Sequence, residues 1–247
     1  MENRMNYYYN SSIIMVRNAA IGDVPAIEYM YTKIAITKDN YKTALPEGNG
    51  TFKSQGGMFE ISSAGMIQER LEDERQFVLV AEVDGVPTSM LWYGRVDQES
   101  FHKMIPFSGQ EEQVAYVLNR LKENNIGCAK EIISLKSSCS RIVPYLLNLE
   151  MINSLMKIGL EEFILEIYRI DGYRDASGYH RSGLFNRASA NIIEKNGGVK
   201  IGYLPQKKVS LDGYQAEITP IIYLLNCRQS KDIIQDLLSG RGCTHVG

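Results

Sequence analysis

A chain of 247 residues with 44% hydrophobic residues, 23% charged residues and a formal net charge of −2 has an ordinary globular balance, enough to bury one large core or two small ones. There is no basic excess to suggest nucleic acid, and no apolar run approaches the roughly 18 residues of a membrane-crossing helix. Residues 1–10 lack the basic-then-apolar layout of a signal peptide, so the expectation is a cytoplasmic protein with neither nucleic-acid nor membrane partners.

Residues 12–19 (SIIMVRNA) read as a strand ending at a turn. Gly22-Asp23 then opens a helix in which Val24, Ile27, Met30, Tyr31 and Ile34 recur at helical spacing. Pro25 sits in its first turn, where the missing N–H costs little. Residues 37–60 hold Pro46, Gly48, Gly50, Gly56 and Gly57 and read as a long loop, and residues 61–76 as a second helix. Residues 77–83 (FVLVAEV) are almost wholly apolar, as a strand covered on both faces should be. Asp84-Gly85 is a hairpin signal, with residues 86–96 as the returning strand. Residues 98–129 supply a loop and a helix at 111–124, which carries Val114, Val117, Leu118 and Leu121 on one side and is expected at the sheet edge.

Residues 131–137 (EIISLKS) read as the next strand. Tyr145, Leu149, Ile152 and Met156 line one face of the following helix, which Gly159 stops. Residues 162–170 are a further strand, followed by a loop. Asn186 then caps a short helix ended by Gly197-Gly198, a strand begins at once, and a last strand lies near 218–225. A short helix at 231–238 and a frayed tail are expected beyond it. The pattern predicts an α/β (α+β) fold, a mixed, mostly antiparallel twisted sheet flanked by helices. Cys128, Cys139, Cys227 and Cys243 form no CxxC pair, and His102, His180 and His245 are scattered, so neither a zinc site nor a disulfide framework is expected.

Two stretches carry the wording of a known family. One is VRNAAIGDVPAIEYMY at residues 16–31. The other combines Asn186-x-x-Ser189 with Ile193-Glu194-Lys195-Asn196-Gly197-Gly198 ahead of a strand. With these the chain resembles the GCN5-related N-acetyltransferases over roughly residues 12–226, with a helical insertion at about 98–129 and a C-terminal extension at 227–247. The resemblance implies a single domain of acyl-CoA N-acyltransferase-like fold, with acetyl coenzyme A as co-substrate. It also implies direct attack of an amine on the thioester, and a cleft where the strand at 131–137 splays from its neighbour to admit the pantetheine arm.

Such chemistry needs a base for the amine and donors for the oxyanion, and it profits from an acid for the departing thiolate. Glu131 is the candidate base, as a glutamate is in some relatives. The resemblance places the pyrophosphate at Lys136, Ser137, Ser138, Cys139, Ser140, Arg141, Ile142 and Val143, held by backbone N–H groups and a helix dipole. Arg141 would pair with a phosphate, and Asn186 either faces the cofactor or simply caps its helix. Two departures stand out. The family's loop carries two glycine positions that fall here near Ile142 and Pro144, so the loop is degenerate, and Pro144 has no N–H to give. The tyrosine that many members place before the Glu-Lys pair is Ile193 here, which leaves Tyr179, beside Tyr173 and His180, as the substitute acid. The expected function is N-acetyl transfer to a small-molecule or protein amine, in a possible homodimer paired through sheet edges. The alternatives are a non-catalytic ligand-binding or regulatory protein of this fold, and an acyltransferase using a non-acetyl donor.

Overall fold

The computed structural model describes residues 4–36, 62–96, 108–109, 111–175, 180–211 and 214–246. The expected loop at 37–60 lies outside them. The chain opens with a hairpin, β1 (Arg4–Tyr9) and β2 (Ser12–Asn18), followed by α1 (Val24–Ile34). After α2 (Ala64–Glu72), capped by the Ser63 hydroxyl on the Met66 N–H, come β3 (Gln76–Val83) and β4 (Val86–Arg95). Asp84 and Gly85 join these two strands with φ of 51° and 81°. Positive φ at both turn residues matches the strands' right-handed twist, and Asp-Gly accepts it cheaply. Next are β5 (Ser108–Gly109), α3 (Glu111–Lys122), β6 (Gly127–Ser134), α4 (Val143–Lys157), β7 (Glu162–Asp175) and β8 (His180–Phe185). The chain then runs through α5 (Arg187–Lys195), β9 (Val199–Tyr203), β10 (Lys207–Leu211), β11 (Tyr214–Asn226), α6 (Cys227–Gly240) and β12 (Thr244–Val246).

The strands form one sheet in the order β12-β1-β2-β3-β4-β6-β7-β11-β9-β5, with β10 on β11 and β8 on β7. Among the described residues the pairing of β6 with β7 is parallel and the others are antiparallel. One face is covered by α4, α5 and α6 through Leu79, Leu91, Leu146, Ile152, Phe163, Leu165, Ile193 and Ile234. The other face carries α1 and α2 over Val78, Val80, Met90 and Ile133, and α3 over Cys128, Ile164, Ile201 and Ile222. Alternation along β3 and β7 delivers neighbouring residues to opposite layers, so residues 78–81 and 163–165 are apolar on both faces. Helix α4 is buried on nearly all sides, because the sheet lies beneath it and α6 beside it.

Several expectations shift. The sheet takes in residues outside 12–226: β1 joins at one end, and the tail does not fray but adds β12 to β1, with Cys243 and the Tyr7–His245 edge-on ring pair packed there. Helix α3 meets the sheet at its edge strands β5 and β9, as expected, and its Val117 and Leu121 are buried in a cluster that reaches inward to Cys128, Ile164 and Ile222. Strand β6 begins at Gly127, not at Glu131, so Glu131 stands in mid-strand. The loop expected after 170 is instead the continuation of β7 and its hairpin partner β8.

Candidate functional site

Strands β6 and β7 pair only at Gly127–Phe163, Cys128–Ile164 and Ala129–Leu165. Beyond Ala129 they part. The cause is local: opposite Trp92 and Tyr93 of β4, the β6 register jumps from Glu131 to Ala129, leaving Lys130 as one extra residue. A bulge of this kind bends its strand and raises its twist. Strand β6 therefore follows β4 to Ser134 while β7 follows β11. From Arg169 onward β7 is paired on its β6 side by β8. Past Ala129 no ladder pair joins β6 to β7.

The resulting wedge is a cavity of about 70 Å³ lined by Leu91, Ala129, Glu131, Asn148, Leu165, Glu166, Ser189, Ile192 and Ile193, among others. Helix α5 supplies its side wall. Asn186 caps α5 by accepting the Ser189 N–H at 3.1 Å, and Gly197 ends the helix at φ 85°. This fixes Ser189, Ile192 and Ile193 toward the opening, with Ile193 where many family members hold tyrosine. Asn186 itself is therefore occupied as a helix cap. Asn148 of α4 is buried, and its amide donates to the Pro144 carbonyl at 2.8 Å.

Two carboxylates reach the wedge from the face bearing α1 and α2. Glu131 accepts a hydrogen bond from the Tyr31 hydroxyl and lies 3.4 Å from Arg70 Nη1, which itself donates to Tyr31 Oη at 3.0 Å. Burial, with the Glu131 charge beside it, pushes the Tyr31 hydroxyl well above its ordinary value and keeps it a donor. The Arg70 guanidinium is stacked 3.5 Å over the Trp92 ring, and Lys130 Nζ lies 4.5 Å from the same ring. Glu166 lies between Leu165 and Ile167, which both point into the α4 layer, so its carboxyl faces the opposite side, as Glu131 does. Burial pushes Glu166 above the ordinary carboxylate value, against the pull of Lys207 and Lys130 and a 3.4 Å hydrogen bond from Tyr168 Oη. A carboxylate tuned upward in a cleft is suited to accept a proton near neutral pH.

The loop between β6 and α4 is closed on itself. The N–H groups of Ser140, Ile142 and Val143 donate to the carbonyls of Ser137 or Cys139, and that of Cys139 donates to Ser137 Oγ at 3.3 Å. Tyr145 and Leu146 donate to the Ile142 carbonyl, which leaves Pro144 with nothing to offer. The side chains of Cys139, Ile142 and Val143 are fully buried in the core, so they do not face a ligand. Burial holds the loop in this form by about 1.5–3 kcal/mol for each of Ile142 and Val143. Lys136, Ser138 and Arg141 are exposed, with Ser137 and Ser140 half-buried between them. From the tail, Arg241 Nη1 donates to the Arg141 carbonyl at 2.9 Å and its guanidinium lies over the Tyr145 ring.

Of the expected catalytic pair, Glu131 lines the wedge, and Tyr179 lies outside the described residues. Glu166 escaped the sequence reading. Its signal was present: a lone charge between Leu165 and Ile167 in a strand otherwise destined for two apolar layers. Among the described residues no three His, Cys, Asp or Glu side chains are grouped to hold a metal ion, and no helix is long and apolar enough to cross a membrane.

No protein-family model and no curated protein matches the chain. Solved structures do. An uncharacterised protein of Bacillus halodurans aligns with 96% of this chain and 97% of its own at TM-score 0.52 and 13% identity. The ribosomal-protein-S18-alanine N-acetyltransferase of Escherichia coli aligns with 87% of this chain and 94% of its own at TM-score 0.51 and 13% identity. The ribosomal-protein-alanine N-acetyltransferase of Brucella melitensis aligns with 85% and 98% at TM-score 0.50 and 16% identity. With the one parallel strand pair of the described residues split by a bulge and a capped helix walling the split, the chain has the fold of the GCN5-related N-acetyltransferase superfamily.

Proposed function

We propose that this protein is an acyltransferase that moves an acyl group from a pantetheine thioester, acetyl coenzyme A being the reference donor, to an amine. The observation that carries the reading is the wedge between β6 and β7, with Glu166 at its rim. The thioester arm lies in the gap between β6 and β7, along β6 past Ala129. The amine approaches from the face bearing α1 and α2. Glu166 accepts the amine proton, the nitrogen bonds to the thioester carbon, and the oxyanion is held by a backbone N–H of the β6 edge. The C–S bond then breaks, and the thiol leaves with a proton from solvent, its low basicity making a dedicated acid dispensable. Glu131, already held by Tyr31 and Arg70, positions the acceptor rather than taking its proton. No covalent enzyme intermediate is required.

The test is thiol release from acetyl coenzyme A and longer acyl thioesters against a panel of amines, including peptide N-termini and polyamines. Amine-dependent turnover supports the reading. Thioester binding with no transfer to any acceptor would leave the molecule a ligand-binding or regulatory protein, a reading that the closed loop favours.

A further inference from the structure

A larger cavity than the wedge, about 430 Å³, is lined by Met5 of β1, by Glu150, Asn153, Met156 and Lys157 of α4, and by Lys231 of α6. None of these residues lines the wedge. The volume lies within the roughly 300–1,000 Å³ of small-molecule sites. Glu150 sets this cavity apart. It is 7% exposed, and its Oε1 accepts the Tyr7 hydroxyl at 2.5 Å. Burial, with the Glu150 carboxylate beside it, raises the Tyr7 hydroxyl above its ordinary value and keeps it a neutral donor. Among the described residues no Lys, Arg or His forms an ion pair with Glu150. A carboxylate has about four acceptor sites, and a buried one is costly until a cation or further donors meet it. Lys157 is exposed and Lys231 half-buried, so the cations of the cavity lie toward solvent and the carboxylate at its floor. Met5 and Met156, both half-buried, supply flexible apolar walls that follow an aliphatic or aromatic group.

We infer that this cavity binds a free α-amino acid with an apolar side chain. Its ammonium meets Glu150, its carboxylate meets Lys157 and Lys231, and its side chain packs on Met5 and Met156. A simple amine would leave the lysines without a counter-charge, and a simple carboxylate would bring a like charge to Glu150, whereas the zwitterion answers both ends. The site is separate from the wedge and stands whether or not the protein transfers acyl groups.

Calorimetric titration of the full chain with leucine, methionine and phenylalanine tests this, beside isocaproate and isoamylamine, which are leucine without its amine and without its carboxylate. The expected result is one amino acid bound per chain, with each half-ligand about tenfold or more weaker. Glu150→Gln keeps an acceptor for Tyr7 and should weaken the amino acid about tenfold or more. Lys231→Met should do the same, and its half-buried position on α6 makes it a check that does not disturb the core. Ala129→Leu, which fills the wedge, should leave amino-acid affinity within about threefold of the wild type. Dissociation constants all weaker than about 10 mM would overturn the inference, as would equal binding of the half-ligands or full affinity in both Glu150→Gln and Lys231→Met. Binding lost in Ala129→Leu and kept in Glu150→Gln would put the amino acid in the wedge as an acceptor, overturning this site while supporting the acyltransferase reading.

Discussion

Replacing Glu166 with glutamine keeps the shape of the side chain, and the amide can still accept the Tyr168 hydroxyl that now lies at 3.4 Å. What it removes is the basic site. General-base catalysis contributes about 10²–10⁴-fold, so kcat for amine transfer should fall by that factor, about 2.7–5.4 kcal/mol in the barrier at 1.36 kcal/mol per decade. The thioester KM should hold, because the arm lies on the other side of the strand gap. The pH profile gives a second signature. In the wild type the acidic limb follows Glu166 and should turn over above the ordinary carboxylate value of 4.5, whereas in Glu166→Gln that limb should disappear. Stability moves in the opposite direction. A carboxyl whose native pKa is raised is fully compatible with folding below its unfolded value, and that compatibility is lost as pH rises through the native value. Glu166→Gln should therefore match the wild type near pH 4 and be more stable at pH 7 in urea titrations. A variant that kept kcat within about threefold of the wild type would remove Glu166 from the chemistry.

Other substitutions test the frame. Tyr7→Phe removes the buried donor to Glu150, a 2.5 Å bond joining β1 to α4, and should cost about 1–3 kcal/mol in urea unfolding. Gly198→Ala would set a Cβ 2.5 Å from Ile193 Cγ2 and 2.9 Å from the Ile193 carbonyl, so about 1–3 kcal/mol of overpacking strain should appear as a lower Tm. Asp23→Asn weakens a two-pronged contact with Arg17, whose guanidinium holds the Asp23 carboxyl below its ordinary 3.8. That depressed value means a contribution present above the unfolded pKa and lost as pH falls through the native one, so the variant's deficit should be clear at pH 7 and shrink toward pH 3.

Much of this frame could be read locally. The spacing of Ile27, Met30 and Tyr31, the Asp84-Gly85 turn and the cap-to-glycine span of α5 each encode their own element, because helical period, positive φ and capping act within a few residues. Strand β12 could not be read that way. Thr244–Val246 is polar and short, and it becomes a strand only by meeting β1 at the far end of the chain. The start of β6 was misplaced for a related reason: the Lys130 bulge breaks strict alternation, so the periodic signal resumes only at Glu131. The site divided along the same line. Glu131 and the missing loop glycines were visible as residue types. The wedge rim at Glu166, the Arg70–Tyr31 hold on Glu131 and the Arg241 clamp depend on contacts between distant segments.

The wedge itself is most directly tested by Ala129→Leu. Ala129 is the last β6 residue paired with β7, and it lines a cavity of about 70 Å³. The larger side chain fills that space. For the wild type, thioester at about a hundred times its dissociation constant adds about 2.7 kcal/mol, or about 5–11 °C in Tm at 2–4 °C per kcal/mol. Ala129→Leu should melt within a few degrees of the ligand-free wild type and show no shift with thioester. A full shift retained in the plugged variant would contradict the account, because the arm would then be binding somewhere other than between β6 and β7.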